Sequence, residues 1–308
     1  MSDQGDILTH HPSGGTQVSW LMPLAPGEDP ELLTTTLATL ARQSLQADEL
    51  VIAADGTLPE ALLEVIECCG LPCVLYRQER QLGIGATLAK VAPLCKGDVI
   101  VRIDSDDLYA PEHTATIVAA LEREPDLGAV GCQLEELDMD QGLQTSARRT
   151  PTNPQEARRW LPWRNPLNHQ TVALRRAALI KAGGYCDCPG FEDWDLWFRI
   201  NANGYKIKSL AMSTVVARVN YNHLQRRRGW QYVLQEYNFY RRQFMKSHVG
   251  FSICLAAMLV RLPWRILPTS LLRWWMRSGL RGSPAIDRTW VPKLINQKSW
   301  PTGYRKEK

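Results

Sequence analysis

The sequence predicts an α/β fold, with a mainly parallel sheet that is covered by helices on both faces. Short apolar runs alternate with segments of helical spacing through most of the first two thirds of the chain. Such alternation is typical of βαβ units, whose crossovers place helices on both sides of a sheet. The 308 residues are 44% hydrophobic, which is enough for a large buried core. Ligands bind such sheets where strands end, so polar segments directly after a strand are candidate sites.

The first half of the chain alternates strand and helix without interruption. Asp29, Pro30 and Glu31 form a helix-start signal, in which an N-cap residue is followed by proline in the first turn. Strands are predicted at residues 18–24, 50–54, 73–77 and 99–103, and helices from residue 30, at 59–69 and at 86–95.

The second half is less regular. We predict a helix from Pro111, a strand at 128–134, a turn at 138–142, a strand at 171–174, and helices at 176–182 and 192–202. Between them, residues 145–166 are rich in proline and arginine and show little periodicity. We interpret this segment as a flexible loop or lid over the site.

Charge divides the chain into regions. Residues 1–220 hold 19 Lys and Arg against 29 Asp and Glu, whereas residues 221–308 hold 17 against 3. The polar residues 1–16 are predicted to be a loose leader, residues 17–220 the catalytic domain, and residues 221–308 a basic, tryptophan-rich helical extension.

Two features indicate the compartment. The eight cysteines have neither C-x-x-C spacing nor the density of a disulfide framework, so we expect reduced thiols. The first seventeen residues lack a basic start followed by an apolar run, which argues against a signal peptide. We therefore expect a cytoplasmic protein.

The extension has the composition of a membrane-surface segment. Residues 249–260 are mostly apolar, but they are too few to cross ~30 Å of hydrocarbon as a helix. Residues 262–281 interleave Leu, Ile and Trp with arginines, as interfacial segments do. We predict peripheral attachment to an anionic membrane surface. Packing of the extension on the domain is the alternative, and no nucleic-acid-binding module accompanies the basic residues.

The most specific local signal is the acidic segment that follows the fourth strand. Asp104, Ser105, Asp106 and Asp107 come directly after the apolar residues 99–103. A polar turn that caps a helix is the ordinary interpretation of such a segment. At the end of a parallel strand, however, crowded carboxylates repel one another unless a hard divalent cation such as Mg²⁺ or Mn²⁺ neutralises them. That cation would also hold a diphosphate.

Two further segments follow strands or begin helices. Gly83 and Gly85 would let the backbone approach a ligand closely, although an ordinary turn explains them equally well. The segment from Phe191 to Trp197 places carboxylates among aromatic rings, which could form an apolar wall and a stacking platform for the ring of a ligand. An acidic first turn that stabilises the helix dipole is the alternative.

Together these motifs resemble family 2 glycosyltransferases with the GT-A fold, a Rossmann-like fold of nucleotide-diphospho-sugar transferases. IVRIDSDDLYAP is similar to the family's D-x-D segment, VSWLMPLA to its first strand, and ELVIAADGT to a strand that usually ends in V-D-D-G-S. ERQLGIGATLAK resembles E-x-N-L-G-x-G-x-A-L-N, and GFEDWDLWFR resembles the E-D-x-D-L-W stretch that carries the catalytic base. Ala54, Gln81 and Ala89 depart from these patterns, which affects donor contacts more than the fold.

The resemblance implies a metal-dependent, inverting sugar transfer from a nucleotide sugar, most simply a UDP-sugar. Asp193 would be the base, with Glu192 beside it. The metal ligands would be Asp104, Asp106 and Asp107, and the donor-binding residues Pro23, Leu24, Ala25, Asp55, Gly83, Asp104 and Ser105. RNPLNHQTVALRRAAL resembles the subgroup that assembles exopolysaccharides and capsules, so the acceptor would be a lipid-linked saccharide, with Asn168, His169 and Trp194 as contacts to the acceptor or diphosphate.

Two other functions remain open at this point. A sugar-phosphate nucleotidyltransferase could share the sheet and the acidic site, but it would normally carry a basic, glycine-rich loop after the first strand, and residues 23–29 contain no Lys or Arg. A non-catalytic scaffold at the membrane surface is the second alternative. The complete carboxylate sets argue against it.

Overall fold

The computed structural model describes residues 15–139, 143–219 and 229–266. Four predicted segments lie almost wholly outside these ranges. They are the leader, the arginines at 226–228, the tryptophan-rich segment after residue 266 and most of the turn at 138–142. The statements below concern the described residues.

Nine strands form one mixed sheet. They are β1 (Val18–Leu24), β2 (Glu49–Ala54), β3 (Cys73–Arg77), β4 (Val99–Arg102), β5 (Leu108–Tyr109), β6 (Leu127–Asp138), β7 (Leu143–Arg148), β8 (Ala173–Arg175) and β9 (Lys206–Val219). The order is β3-β2-β1-β4-β8-β6-β9-β5, with β7 paired to β6. The first four strands are parallel, as predicted. Beyond β4 the pairings are antiparallel except for β6 with β9, and β6 and β7 form a hairpin.

Nine α-helices accompany the sheet in the described ranges. They are α1 (Pro30–Leu40), α2 (Glu60–Cys68), α3 (Ile84–Val91), α4 (His113–Arg123), α5 (Pro154–Trp160), α6 (Arg176–Lys181), α7 (Glu192–Ala202), α8 (Trp230–Met245) and α9 (Phe251–Ile266). The predicted helix start is confirmed, since the Asp29 side chain accepts a hydrogen bond from the Glu31 amide at 2.8 Å.

Two apolar cores lie on opposite faces of the sheet. Trp20 and Met22 of β1 point into the core shared with α1, α2 and α4, whereas Leu21 points into the core shared with α3, α6 and α7. The alternation follows from the two-residue period of a strand. Both faces of the sheet are therefore covered by helices. A ligand site is left at the ends of the strands.

The prediction of a flexible lid at residues 145–166 is wrong. The segment contains the end of β7 and all of α5, and Ala157 and Leu161 are buried in the core. Asn153 caps α5 by accepting from the Gln155 amide at 2.8 Å, and Pro154 occupies the first turn. Pro154, one of the prolines that suggested a loop, belongs together with Asn153 to a helix-start signal.

The described part of the extension is a helical hairpin packed on the domain. Phe239 of α8 stacks on Phe191 at a ring-centroid distance of 4.9 Å and lies 4.8 Å from Trp194 of α7. Glu236 of α8 is buried and forms ion pairs with Arg261 and Arg265 of α9. None of the helices in the described ranges combines the length and hydropathy needed to cross a bilayer.

Candidate active site

The acidic segment after β4 is a compact carboxylate cluster. One oxygen from each of Asp104, Asp106 and Asp107 lies within 4.8 Å of the others. Asp107 is buried, and its Oδ2 has no hydrogen-bond partner, while its Oδ1 accepts the Arg218 amide at 3.2 Å. A buried carboxylate oxygen without a donor is costly, so this oxygen is available to a cation.

The carboxylates of the cluster repel one another. Burial, followed by the charges of Asp104 and Glu28, raises the pKa of Asp106 to about 7. Burial, followed by the charges of Asp106 and Asp104, raises the pKa of Asp107 well above its usual value. A divalent cation would relieve these like-charge contacts, so the residues fit the Mg²⁺ or Mn²⁺ that the sequence predicts.

Two arginines that the sequence analysis missed support the cluster. Arg218 of β9 donates to the carbonyls of Asp106 and Leu32 and to the Thr36 hydroxyl, and so fixes the backbone of the acidic segment. Arg102 of β4 is buried and pairs with Asp104 at 2.5 Å. Arg218 lies in none of the segments quoted above. Arg102 lies within IVRIDSDDLYAP, two residues before the first aspartate, and its position there could have revealed it.

We expect the contribution of Asp106 to the stability of the metal-free protein to fall as pH rises from about 4 to about 7, because the Asp106 pKa is about 7 in the fold and 3.8 ordinarily. The folded state then binds this proton more tightly than the unfolded state does. The contribution of Asp106 to the unfolding free energy is therefore present at low pH and is lost as the pH rises from about 4 to about 7. The melting temperature of Asp106→Asn, measured in chelator, should rise relative to wild type across this pH range. A difference that stays constant with pH would contradict the shift.

Asp55 follows β2 and binds the two residues that precede α3. Its carboxylate accepts from the amides of Leu82, at 2.7 Å, and Gly83, at 3.0 Å, and from the Thr87 hydroxyl at 2.8 Å. The Asp55 amide donates to the carbonyl of Leu24 at 2.8 Å, which joins the ends of β1 and β2. Pro23 and Leu24 are buried, while Ala25 is partly exposed just after them. The predicted donor residues thus share one edge of the sheet.

The two glycines of the third motif differ in role. Gly83 is exposed at φ +91°, a backbone conformation that favours glycine. Gly85 is buried, and a Cβ there would lie 3.0 Å from the Glu192 Cβ and 3.0 Å from the Cys186 carbonyl oxygen. The prediction that Gly85 lets the backbone approach a ligand is therefore wrong. Gly85 allows α3 to pack against the start of α7.

Asp193 lies in the first turn of α7 and is half-buried. Its Oδ2 accepts from the Asn165 side-chain amide at 2.5 Å, and its Oδ1 accepts from the Trp194 amide at 2.7 Å. Glu192 is also half-buried. Asp195, two residues on, is completely buried and bonded to Arg199 and Gln243. Of the carboxylates in this turn, Asp195 is structural, whereas Glu192 and Asp193 lie at the surface of the site.

Two predicted contact residues differ in exposure. Asn168 is 1% exposed and donates to the carbonyls of Cys132 and Arg148. His169 is half-buried, and its ring nitrogen Nε2 is 2.9 Å from the Tyr185 hydroxyl. Desolvation, followed by the charge of Arg102, holds the His169 pKa well below its usual value. The burial of Asn168 favours a positioning role over direct contact with substrate.

The aromatic stacking platform is not present. Phe191, Trp194 and Trp197 are all buried, and Trp194 donates its indole N–H to the Leu161 carbonyl at 2.8 Å. The predicted contact of Trp194 with the acceptor is therefore wrong in this conformation. Phe239 of α8 covers the rings of Phe191 and Trp194, a contact between distant segments that their spacing within the motif cannot show.

The two carboxylate groups lie toward the same region of the molecule. The His169 ring lies 6.0 Å from the ring of Trp197 in α7. The carbonyl of Gln170, the next residue, accepts from the Tyr109 hydroxyl, which accepts from the Asp104 amide. Hydrogen bonds and ring contacts therefore link the acidic segment with α7.

Comparison with known proteins agrees with this arrangement. The model of "Glycosyl transferase family 2" matches residues 25–184. The chain is 29% identical to the amylovoran biosynthesis glycosyltransferase AmsE of Erwinia amylovora, over 86% of this chain and 99% of that protein. It is 26% identical to the UDP-Gal:alpha-D-GlcNAc-diphosphoundecaprenol beta-1,3-galactosyltransferase of Escherichia coli, over 82% of this chain and 92% of that protein.

The fold is shared with a solved glycosyltransferase. The mannosyltransferase PcManGT of Pyrobaculum calidifontis, solved with GDP-Man and Mn²⁺, superposes with a TM-score of 0.57 at 16% identity, over 89% of this chain and 83% of that one. The sheet and its helices are the GT-A fold that the motifs implied. With a family model that covers more than half of the sequence, and with an acidic cluster at the end of a central strand, the chain belongs to glycosyl transferase family 2.

Proposed function

We propose that this protein is an inverting glycosyltransferase of bacterial surface polysaccharide assembly. It transfers a sugar from a UDP-sugar to a hydroxyl of a lipid-linked saccharide. The observation that carries the proposal is the pair of carboxylate groups in one region: a cluster suited to a cation, and Asp193 at the start of α7. The relatives named above, which include a UDP-galactose enzyme acting on a diphosphoundecaprenol acceptor, support the donor and acceptor classes.

Asp104, Asp106 and Asp107 would hold Mn²⁺ or Mg²⁺. The ion supplies positive charge that stabilises the diphosphate as it leaves. The chain's own part is to keep these carboxylates together despite their repulsion. Arg218 does so by fixing the backbone of the segment, and Arg102 by pairing with Asp104.

Asp193 would act as the general base. Asn165 and the Trp194 amide hold its two oxygens, which fixes the orientation of the carboxylate. It would take the proton of the acceptor hydroxyl as that oxygen attacks the anomeric carbon opposite the diphosphate. The new C–O bond forms as the bond to the diphosphate breaks, so the configuration inverts. A positioned base of this kind typically contributes ~10² to 10⁴ in rate.

The donor would bind at the ends of β1 and β2. Pro23, Leu24 and Ala25 border this edge, and Asp55 orders Gly83 and the start of α3. We propose that these residues frame the nucleotide, with Ser105 beside the diphosphate. Asn168 would act indirectly, because it is 1% exposed, and the half-buried His169 would be oriented by its hydrogen bond to Tyr185.

A panel of nucleotide sugars tests the proposal. Purified protein incubated with each donor, with and without an undecaprenyl-diphosphate saccharide, should release UDP from one UDP-sugar in Mn²⁺ and lose that activity in chelator. Pyrophosphate release would instead indicate nucleotidyl transfer. Turnover that ignores chelation would contradict the metal site, and donor binding without turnover toward any acceptor would favour the scaffold.

The proposed location is the cytoplasmic face of the cell membrane. The charge of residues 221–308, with 17 Lys and Arg against 3 Asp and Glu, supports attraction to anionic lipid. An enzyme whose acceptor is anchored in the membrane also benefits from remaining at that surface.

A further inference from the structure

The outer side of the α8–α9 hairpin is an exposed apolar surface. Its apolar side chains recur at three- and four-residue spacing, which places them on one side of each helix. They are Trp230, Leu234, Tyr237, Phe244 and Met245 of α8, and Phe251, Leu255, Leu259 and Val260 of α9. The rings of Phe244 and Phe251 lie 6.0 Å apart, so the two stripes join at the turn. We call these nine side chains the hairpin face.

The hairpin face stays exposed although the other side of the hairpin packs on the domain. The opposite side of α8 supplies Phe239 and Tyr240 to the core, and α9 supplies Cys254 and Ala257. Arg261 also donates to the Trp163 carbonyl at 3.0 Å, which ties α9 to the domain. The hairpin is therefore apolar on both sides. Contiguous groups of exposed apolar side chains are unusual on monomeric soluble proteins and commonly mark interaction sites, so the hairpin face calls for a second apolar partner.

Charge identifies the partner. Within residues 229–266 the only acidic residue is Glu236, which is 2% exposed and paired with Arg261 and Arg265. The exposed charges of this segment are the cations Arg241 and Lys246. Apolar and aromatic side chains with flanking cations and no exposed carboxylate are typical of helices that lie in the interface of an anionic bilayer.

We propose that the hairpin face docks on the surface of an anionic lipid bilayer. The docking brings the membrane to within about one helix diameter (~10 Å) of α7, the helix that carries Asp193, because α8 packs directly on α7. Delivery of a lipid-linked acceptor to this base rests on the proposed function, but the docking itself does not. The hairpin would therefore orient the catalytic domain on the membrane, in addition to any contribution from residues 267–308.

Full-length protein with Phe251→Glu, Leu255→Glu and Leu259→Glu tests the docking. Partition onto vesicles of phosphatidylcholine and phosphatidylglycerol should fall at least ~10-fold, since interfacial binding scales with buried apolar area. The matched control carries Ile180→Glu and Met212→Glu, which replace exposed apolar residues elsewhere on the surface. It should partition like wild type. Circular dichroism establishes folding, and Leu255→Glu alone, with a smaller loss, replaces the triple variant if that variant does not fold.

The cations test the lipid class. Replacing Arg241 and Lys246 by Gln should weaken partition ~5-fold for each residue on anionic vesicles and leave the weaker binding to pure phosphatidylcholine unchanged. Equal loss on both vesicle types would overturn the anionic assignment.

Other occupants give different results. If residues 267–308 cover the hairpin face, the triple variant keeps wild-type partition, and the proposal fails. If a second copy covers it, wild type self-associates without vesicles and the triple variant is monomeric with vesicle binding intact, which also overturns it. Donor hydrolysis without vesicles should be equal in wild type and variant. If neither wild type nor the triple variant hydrolysed donor, the proposed function would be contradicted, but the vesicle-binding result would be unaffected.

Discussion

Replacing Asp193 with Asn should lower sugar transfer by ~10² to 10⁴, because the amide cannot accept the proton of the attacking hydroxyl. The substitution keeps the size of the side chain and leaves the Trp194 amide a partner. Donor affinity, measured by calorimetry in Mn²⁺, should therefore stay close to that of wild type. A loss confined to kcat would identify Asp193 as the base.

Asp195→Asn is the matched control for that experiment. Asp195 belongs to the same turn of α7, but it is buried and bonded to Arg199 and Gln243. Removing its charge leaves the Arg199 guanidinium with one carboxylate fewer inside the protein, so the unfolding free energy should drop by ~3 kcal/mol. If the two variants lost transfer and stability in parallel, Asp193 would be a structural residue and the proposed mechanism would be wrong.

Asp107→Asn should weaken Mn²⁺ binding at least ~10²-fold, since even the loss of an outer-shell partner commonly costs 10- to 100-fold. Transfer should fall accordingly. The metal-free variant should unfold at the same or a higher temperature than metal-free wild type, because burial and two neighbouring carboxylates disfavour the charge that the substitution removes. Mn²⁺ affinity is measured without donor, by electron paramagnetic resonance, and stability by thermal denaturation in chelator.

Asp126→Asn provides the comparison. Asp126 is an exposed carboxylate that pairs with Lys206 outside the cluster, so its replacement should leave Mn²⁺ binding and transfer unchanged. Wild-type Mn²⁺ affinity in Asp107→Asn would remove Asp107 from the ligand set. A large loss of metal-free stability would instead show that its carboxylate is held by protein contacts that outweigh the repulsion.

Local sequence patterns were sufficient for the parallel half of the fold. The boundaries predicted for β1 and β3 coincide with those observed, and α7 spans the predicted residues 192–202. These elements are specified by short-range signals, namely continuous apolar runs for buried strands and a periodic apolar face for helices. Residues 145–166 were misinterpreted because proline is common both in loops and in the first turn of a helix.

The positions of Asp104, Asp106 and Asp107 after a strand, and of Asp193 at a helix start, could be predicted from the sequence, because a strand end and a helix start are local features. The roles of Trp194, His169 and Gly85 could not, because each is decided by a segment distant in the chain: α8 covers Trp194, Arg102 and Tyr185 surround His169, and α7 fills the space beside Gly85. By itself, then, the sequence determined the strand and helix pattern, the glycosyltransferase resemblance and the carboxylates of the site. Tertiary structure alone decided which aromatic rings are buried, which arginines support the cluster and which face of the hairpin stays exposed, because burial depends on packing between segments far apart in the chain.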